Sequence, residues 1–327
     1  MKNFWKLWMT SLIAVLLLVG CGQEEVKPEE SKNNTQQEVT VDEQVSDETA
    51  FPITMTDAIG NEVILEDAPK TIVSMQPSNT EILFALGLNQ EIIGVNDYDN
   101  YPEEALEKEK IGGMEFNVEK IVAMNPDIVF AHESALGMGE AGLQQIRDSG
   151  VKVYVVKNAV DFNETYTTIE EIGRATGKFE EAQKIVEGMK AKVEEVKEKV
   201  SNVETKKTVF VETSDVPEIY TPGKGTFMQE ILDMVNAENI AADQEGWFKM
   251  EPEEIVNRNP DVIIVMYSYV EGIVDSVKAR DGFDSITAVK NNEVVQVDEN
   301  LTSRTGPRLA EGLEEVAKAI YPEAFSE

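Results

Sequence analysis

The chain is expected to fold as an α/β protein of two lobes with parallel-type sheets, bridged by a single long α-helix. Three observations predict this. Short apolar runs alternate with helical patterns over most of the chain. One block of residues in the first half recurs in the second, and an amphipathic helical stripe lies between the halves. With 327 residues, 42% of them hydrophobic, the chain can bury one large core or two ordinary ones.

The elements follow in order. Lys2 and Lys6 precede an apolar run from Leu12 to Val19, closed by Gly20-Cys21. The tract interrupted by Lys6 falls short of the ~20 apolar residues a spanning helix needs, so residues 1–20 read as an export signal. Cys21 is the sole cysteine and stands just past the apolar run behind a small residue. Residues 21–51 read as a disordered tether. Within 22–50, Glu24, Glu25, Glu29, Glu30, Asp42 and Glu43 face only Lys27 and Lys32, and no aromatic side chain is available to anchor a fold.

The first lobe is expected over 52–160. Ile53–Thr56 and Glu62–Leu65 read as the arms of a hairpin turned at Asp57-Ala-Ile-Gly-Asn61. Thr71–Ser74, Glu91–Val95, Asp127–Ala131 and Val151–Val156 read as strands spaced by helices, which points to a parallel sheet covered on both faces. Residues 161–203 form the linking region, helical by pattern from Asn163 to Val200. From Lys178 onward Ala182, Ile185, Val186, Met189, Val193, Val196 and Val200 share one face. A helix of about 23 residues at ~1.5 Å each reaches roughly 35 Å, enough to cross between lobes and limit their relative motion.

The second lobe is expected over 204–327, with strands at Thr208–Val211, Asp261–Val265 and Glu293–Val297. The repeat is Glu119-Lys-Ile-Val-Ala-Met-Asn-Pro-Asp127 against Glu253-Glu-Ile-Val-Asn-Arg-Asn-Pro-Asp261. Each copy reads as a short helix stopped before Asn-Pro, because proline disfavours helix at the preceding residue, after which the chain turns into the sheet.

Composition excludes several function classes. The 62 acidic side chains against 29 basic ones leave a net charge of −33, opposed to general nucleic-acid binding. One cysteine and one histidine, His132, leave no internal disulfide and no Cys/His zinc site, and they argue against a zinc or manganese receptor. No Walker-type phosphate loop and no specific nucleophile–base pair is visible, so no catalytic residue is assigned. A cell-surface hydrolase using only carboxylates stays open as the reading from a different class, since acidic pairs abound.

Several segments carry a family resemblance. They are Asp57-Ala-Ile-Gly-Asn-Glu-Val63, the stretch Pro69 to Gly87, the two Glu…Asn-Pro-Asp blocks, Tyr220-Thr-Pro-Gly-Lys-Gly225 and Gly306-Pro-Arg-Leu309. Over roughly residues 52–323 the chain resembles the substrate-binding proteins of ABC importers for cobalamin, ferric siderophores and haem. The resemblance implies two Rossmann-like lobes on one bridging helix, and a monomer that takes up its ligand between the lobes. Its partners would be the permease subunits with their ATPase, and it implies no resident cofactor or metal.

Asn96-Asp-Tyr-Asp-Asn-Tyr-Pro102 is most similar to the cobalamin-binding branch. On that resemblance Tyr98, His132, Tyr220, Trp247 and Arg304 are the ligand contacts, aromatic faces suiting a broad corrin disc with amide edges. Arg304 equally suits an anionic siderophore, since a guanidinium pairs with carboxylates or catecholates. Three positions depart from the branch: Asn300 stands for an aspartate, His132 for a tryptophan, and Gly112-Gly-Met114 lacks a tryptophan. His132 equally suits a structural imidazole; Tyr98 is expected exposed from its polar run after a strand, and Trp247 from its place in Gly246-Trp-Phe between helical segments. Glu119 and Glu253 sit near helix starts, where a carboxylate is favoured anyway; the resemblance makes them one docking glutamate per lobe, pairing with permease arginines. Leu18-Val19-Gly20-Cys21 resembles a lipobox, in which Cys21 would carry a diacylglycerol and hold the protein on the outer face of the cell membrane.

Overall fold

Residues 50–326 are described in the structure, a computed structural model of the chain. The expected export signal, Cys21 and the tether through residue 49 lie outside them.

The hairpin forms as expected. β1 (Ile53–Thr56) and β2 (Glu62–Leu65) pair antiparallel with Ile53 opposite Leu65, and the two-residue alternation buries Met55, Val63 and Leu65. Asp57 organises the turn by accepting from the amides of Ile59 and Asn61 at 3.1 and 2.8 Å. The Ala58 amide then donates to the Val155 carbonyl at 2.9 Å, tying the hairpin to the first lobe's sheet.

That lobe contains β3 (Ile72–Ser74), α1 (Pro77–Ala85), β4 (Ile92–Val95), β5 (Glu109–Lys110), α2 (Val118–Met124), β6 (Ile128–His132), α3 (Leu136–Asp148) and β7 (Lys152–Val156). The strands lie in the order β5-β4-β3-β6-β7, all parallel. β3 and β6 are buried along their whole length, as a sheet covered on both faces requires.

The linking region departs from the expected single helical tract. It is two helices, α4 (Phe162–Ala175) and α5 (Phe179–Val200), broken at Gly177, whose φ of +70° favours glycine. α4 folds back on α5 so closely that a Cβ on Gly173 would lie 2.5 Å from the Ala182 Cβ. α5, with 22 residues, is the bridge. It buries the expected stripe from Ala182 through Val186, Met189, Val193 and Val196 to Val200, while Ile185 is half-buried.

The second lobe contains β8 (Thr208–Glu212), β9 (Tyr220–Pro222), α6 (Phe227–Met234), β10 (Glu238–Asn239), β11 (Trp247–Lys249), α7 (Pro252–Arg258), β12 (Val262–Val265), α8 (Ile273–Lys278), α9 (Thr287–Lys290), β13 (Val294–Gln296), α10 (Glu299–Ser303) and α11 (Leu309–Ile320). Its sheet runs β10-β8-β12-β13, again all parallel, while β9 and β11 form a separate antiparallel ribbon.

The repeat has one physical solution in both lobes. α2 and α7 each end on a left-handed asparagine, Asn125 (φ 49°) and Asn259 (φ 47°), ahead of the proline. The aspartate that follows then stitches the motif to the lobe's first strand. Asp127 Oδ2 accepts from the amides of Lys70 and Thr71 at 2.8 and 3.0 Å. Asp261 Oδ2 accepts from the amide and hydroxyl of Thr208 at 2.9 and 2.8 Å.

One apolar core runs through both lobes, from Ile72, Ile82 and Phe130 along α5 and α11 to Val209, Val262 and Leu313. Further clusters around Leu143 and Phe283 cover the sheets' other faces. A hinge between the lobes therefore has to work against a shared core, which favours small excursions.

Candidate functional site

The carboxyl ends of the two sheets face each other, the place where open α/β sheets bind ligands. The loop after β4 meets the chain after β13: the Asn100 side chain donates to Asn300 Oδ1 at 3.2 Å, and Arg304 donates to the Tyr98 carbonyl at 3.4 Å. At the other edge, beyond β7, the Phe162 amide donates to Glu230 Oε2, in the first turn of α6, at 2.7 Å.

Exposed aromatic side chains gather on these ends. Tyr98 is 62% exposed in the loop after β4, with its ring so close to Gly113 that a Cβ there would lie 2.8 Å from it. Gly112 just before is at φ +102°, and a Cβ on it would come within 2.5 Å of the Glu115 carbonyl, so the Gly-Gly pair is needed by both backbone and ring. Tyr220 and Trp247, 41% and 45% exposed, belong to the β9–β11 ribbon. Lys249 lies opposite Tyr220 and Trp247 opposite Pro222, so both aromatics stand on one face while buried Thr221 points to the other. The Trp247 ring leans on Phe227 with centroids 5.7 Å apart.

His132 ends β6 at the expected edge, but it is 4% exposed, and its Nδ1 is 2.8 Å from the Ser134 hydroxyl. Burial pushes its pKa down to about 4, so the ring is neutral at pH 7. This geometry is that of the hydrogen-bonded structural imidazole. In the loop after β4, Asp99 is 1% exposed and accepts from the Thr80 hydroxyl at 2.7 Å and the Asn96 amide at 2.9 Å. Burial pushes its pKa up to about 6 against the opposing pull of Thr80, Lys110 and Asn96.

Arg304 is engaged within the protein. It donates to Glu81 Oε1 at 2.8 Å, and Glu81, buried on α1 of the other lobe, is also held by Arg308. The sequence offered no means of pairing residues so far apart.

Tyr269, in the loop after β12, is a further exposed aromatic that sequence reasoning missed. It is 68% exposed yet fixed in orientation, stacked on Tyr267 at 4.8 Å and accepting from the Asp215 amide at 2.9 Å. Tyr267 in turn donates to Glu212, which Arg280 holds bidentately at 2.7 Å in both bonds. Met114 and Met138 are likewise exposed in the chain after β5 and β6.

Glu119 and Glu253 are the second residues of α2 and α7, equivalent positions in the two lobes, and both are exposed. Neighbouring carboxylates are paired, Glu109 with Lys120, Glu251 with Lys249 and Glu254 with Arg258. A cavity of about 780 Å³ lies elsewhere, between α5 and α11, lined by Met189, Lys192, Leu301 and Pro307. None of the exposed aromatics borders it, so the open cleft is the candidate site.

Two α/β lobes on one bridging helix, with aromatic side chains standing at facing strand ends, define a solute-binding protein of the class that holds its ligand between rigid lobes. The chain belongs to the periplasmic binding protein family, whose family pattern matches residues 72–301, and so to the solute-binding subunits of ABC importers. It is 41% identical over 330 residues, covering all of both chains, to the uncharacterized ABC transporter substrate-binding lipoprotein YvrC of Bacillus subtilis. It is 24% identical over 282 residues, 83% of this chain and 75% of the relative, to a cobalamin-binding protein of Halobacterium salinarum. Among solved structures, a possible iron-binding, periplasmic solute-binding protein of Staphylococcus epidermidis superposes with a TM-score of 0.72. That match is at 37% identity and covers 78% of this chain and 100% of the other. Among the described residues no helix is long and apolar enough to cross a membrane.

Proposed function

We propose that the chain is an extracytoplasmic receptor that captures cobalamin or a related corrinoid between its lobes and delivers it, unchanged, to the permease of an ABC importer. The observation that carries this reading is the set of exposed aromatic faces at the facing strand ends, Tyr98 from one lobe and Tyr220 with Trp247 from the other. A flat macrocycle with amide edges is matched by aromatic faces and a few polar groups, here supplied by Asn100, Asn300 and Arg304. His132 then serves as a wall behind the site and not as a ligand to metal. The relationship to a cobalamin-binding protein supports the same ligand.

A ferric siderophore or haem is the second reading. Arg304 favours it because a guanidinium pairs with the carboxylates of either ligand, and the structural relative described as possibly iron-binding points the same way.

Glu119 and Glu253 are proposed to dock the receptor on permease arginines. Supporting this are their equivalent positions, their exposure and the absence of any ion pair or hydrogen bond to either carboxylate among the described residues. Cys21 is proposed as the lipid anchor, placing the receptor on the outer face of the cell membrane, in keeping with the relative's description as a lipoprotein. The ligand assignment is tested by equilibrium titration with cyanocobalamin, haemin and a ferric siderophore. Binding of cyanocobalamin at one per chain supports the first reading, and binding of only the iron chelates replaces it with the second.

A further inference from the structure

Glu81 is 3% exposed on α1, looking across to the second lobe. Arg308 alone occupies both its oxygens, Nε to Oε2 at 2.9 Å and Nη2 to Oε1 at 2.7 Å. This is the bidentate fork in which a guanidinium and a carboxylate satisfy each other. Arg308 is seated firmly, its guanidinium 3.6 Å from the centroid of the Tyr101 ring. Arg304 adds a third bond to the already paired Oε1, and its other terminal nitrogen reaches the carbonyl of exposed Tyr98. The charges around this cluster balance in number, so what is spare is a bond and not a charge. Glu81 and Asp99 face Arg304, Arg308 and Lys110, with Glu311 beside Arg308 at the solvent side. The spare bond is that of Arg304, which touches Glu81 through one nitrogen only and reaches the loop of exposed Tyr98 with the other.

We infer that Arg304 is a transferable charge. In the empty cleft it rests on Glu81, and an oxyanion on the bound ligand draws it away while Arg308 keeps Glu81 paired. The inference rests on the reading that the ligand occupies the cleft, and it deepens that reading by naming the ligand's chemistry: a chelate carrying a carboxylate or phosphate edge. Arg308 is on this account a positioning residue. Without it, moving Arg304 would strand a buried carboxylate, which is strongly unfavourable. The exchange also couples ligand to lobes, since the Arg304 bond to Glu81 is one of those that span them.

The test compares the full chain with Arg304→Gln, Arg308→Gln and the double variant by thermal unfolding without ligand. The expected result is a drop of about 2 °C for Arg304→Gln, a drop several times larger for Arg308→Gln, and a double variant that loses clearly more than the sum. Equal and additive losses would overturn the inference, because Arg304 would then be a committed structural partner. Titration with cyanocobalamin, which offers a phosphodiester, and haemin, which offers carboxylates, distinguishes the two oxyanion sources. Arg308→Gln should weaken the probe that binds by roughly tenfold, with partial rescue by Arg308→Lys, and unchanged affinity would contradict the transfer. If neither probe binds, the ligands named above are wrong, while the unfolding series still decides whether Arg304 is spare.

Discussion

Two buried titratable groups near the cleft act on stability in opposite directions. His132 has its pKa lowered by burial from 6.5 to about 4, so the unfolded chain binds a proton that the folded chain refuses, and this contribution falls as pH drops from about 6.5 to 4. Asp99 has its pKa raised by burial from 3.8 to about 6, so the folded chain holds the extra proton, and this contribution rises as pH drops from about 6 to 3.8. The two slopes largely cancel between pH 6 and 4. Replacing His132 by Gln should therefore make stability at pH 4 gain on stability at pH 6.5, relative to wild type, by about 2–3 kcal/mol. Asp99→Asn should tilt the balance the other way. Urea unfolding at a series of pH values reads both, and parallel profiles for the three proteins would refute the assignment. At the same scale, Tyr98→Ala and Trp247→Ala should each weaken ligand binding at least about tenfold, the loss of roughly 1.4 kcal/mol of aromatic contact. Unaltered affinity in both would remove them from the site. The exposure of Tyr98 was legible from its polar run, and that of Trp247 from its place between helical segments. The ion pair of Arg304 with Glu81 was not, because a contact between residues so distant in the chain leaves no local pattern.

Among the elements, the strands that alternate with helices and carry unbroken apolar runs were all legible, because full burial in a parallel sheet leaves that signature. β5 and β10, of two residues each, are too short to show a period. The β9–β11 ribbon was missed for another reason: its strands are separated by a helix and a strand of the main sheet, so no hairpin turn announces the pairing. The helix break at Gly177 was suggested only weakly by its glycine, since a glycine is also tolerated inside helices. Close packing of α4 on α5 yields a matched pair of expectations. Gly173→Val should lower stability by about 1–3 kcal/mol, since its Cβ would meet Ala182 at 2.5 Å. Gly188→Ala, on the same bridging helix with nothing within 4 Å, should raise stability by about 0.5–1 kcal/mol. Thermal unfolding measures both, and a neutral Gly173→Val would mean that α4 and α5 are not in contact there.

For the whole molecule, the shared core along α5 and α11 and the contacts at both sheet edges describe lobes that shift slightly and do not swing apart. On the proposed docking role of Glu119 and Glu253, such a receptor would present two points held at a nearly fixed spacing to its permease. Glu119→Arg with Glu253→Arg should accordingly abolish ligand uptake by cells while leaving ligand affinity and melting temperature unchanged. Loss of affinity in that variant would place the glutamates in the cleft instead. The repeat that carries these residues was visible in the sequence, and so were the two lobes; how their faces meet was not, since that depends on the bridge and on contacts across it.

The most direct measurement mixes the purified chain with cyanocobalamin, haemin or a ferric siderophore and passes each mixture through a desalting column. The account predicts that one coloured ligand elutes with the protein at about one per chain, chemically unchanged, and that Tyr98→Ala or Trp247→Ala lets it go. Protein that emerges colourless from all three mixtures, or a ligand recovered in altered form, would contradict the reading of this chain as the receptor of a metal chelate.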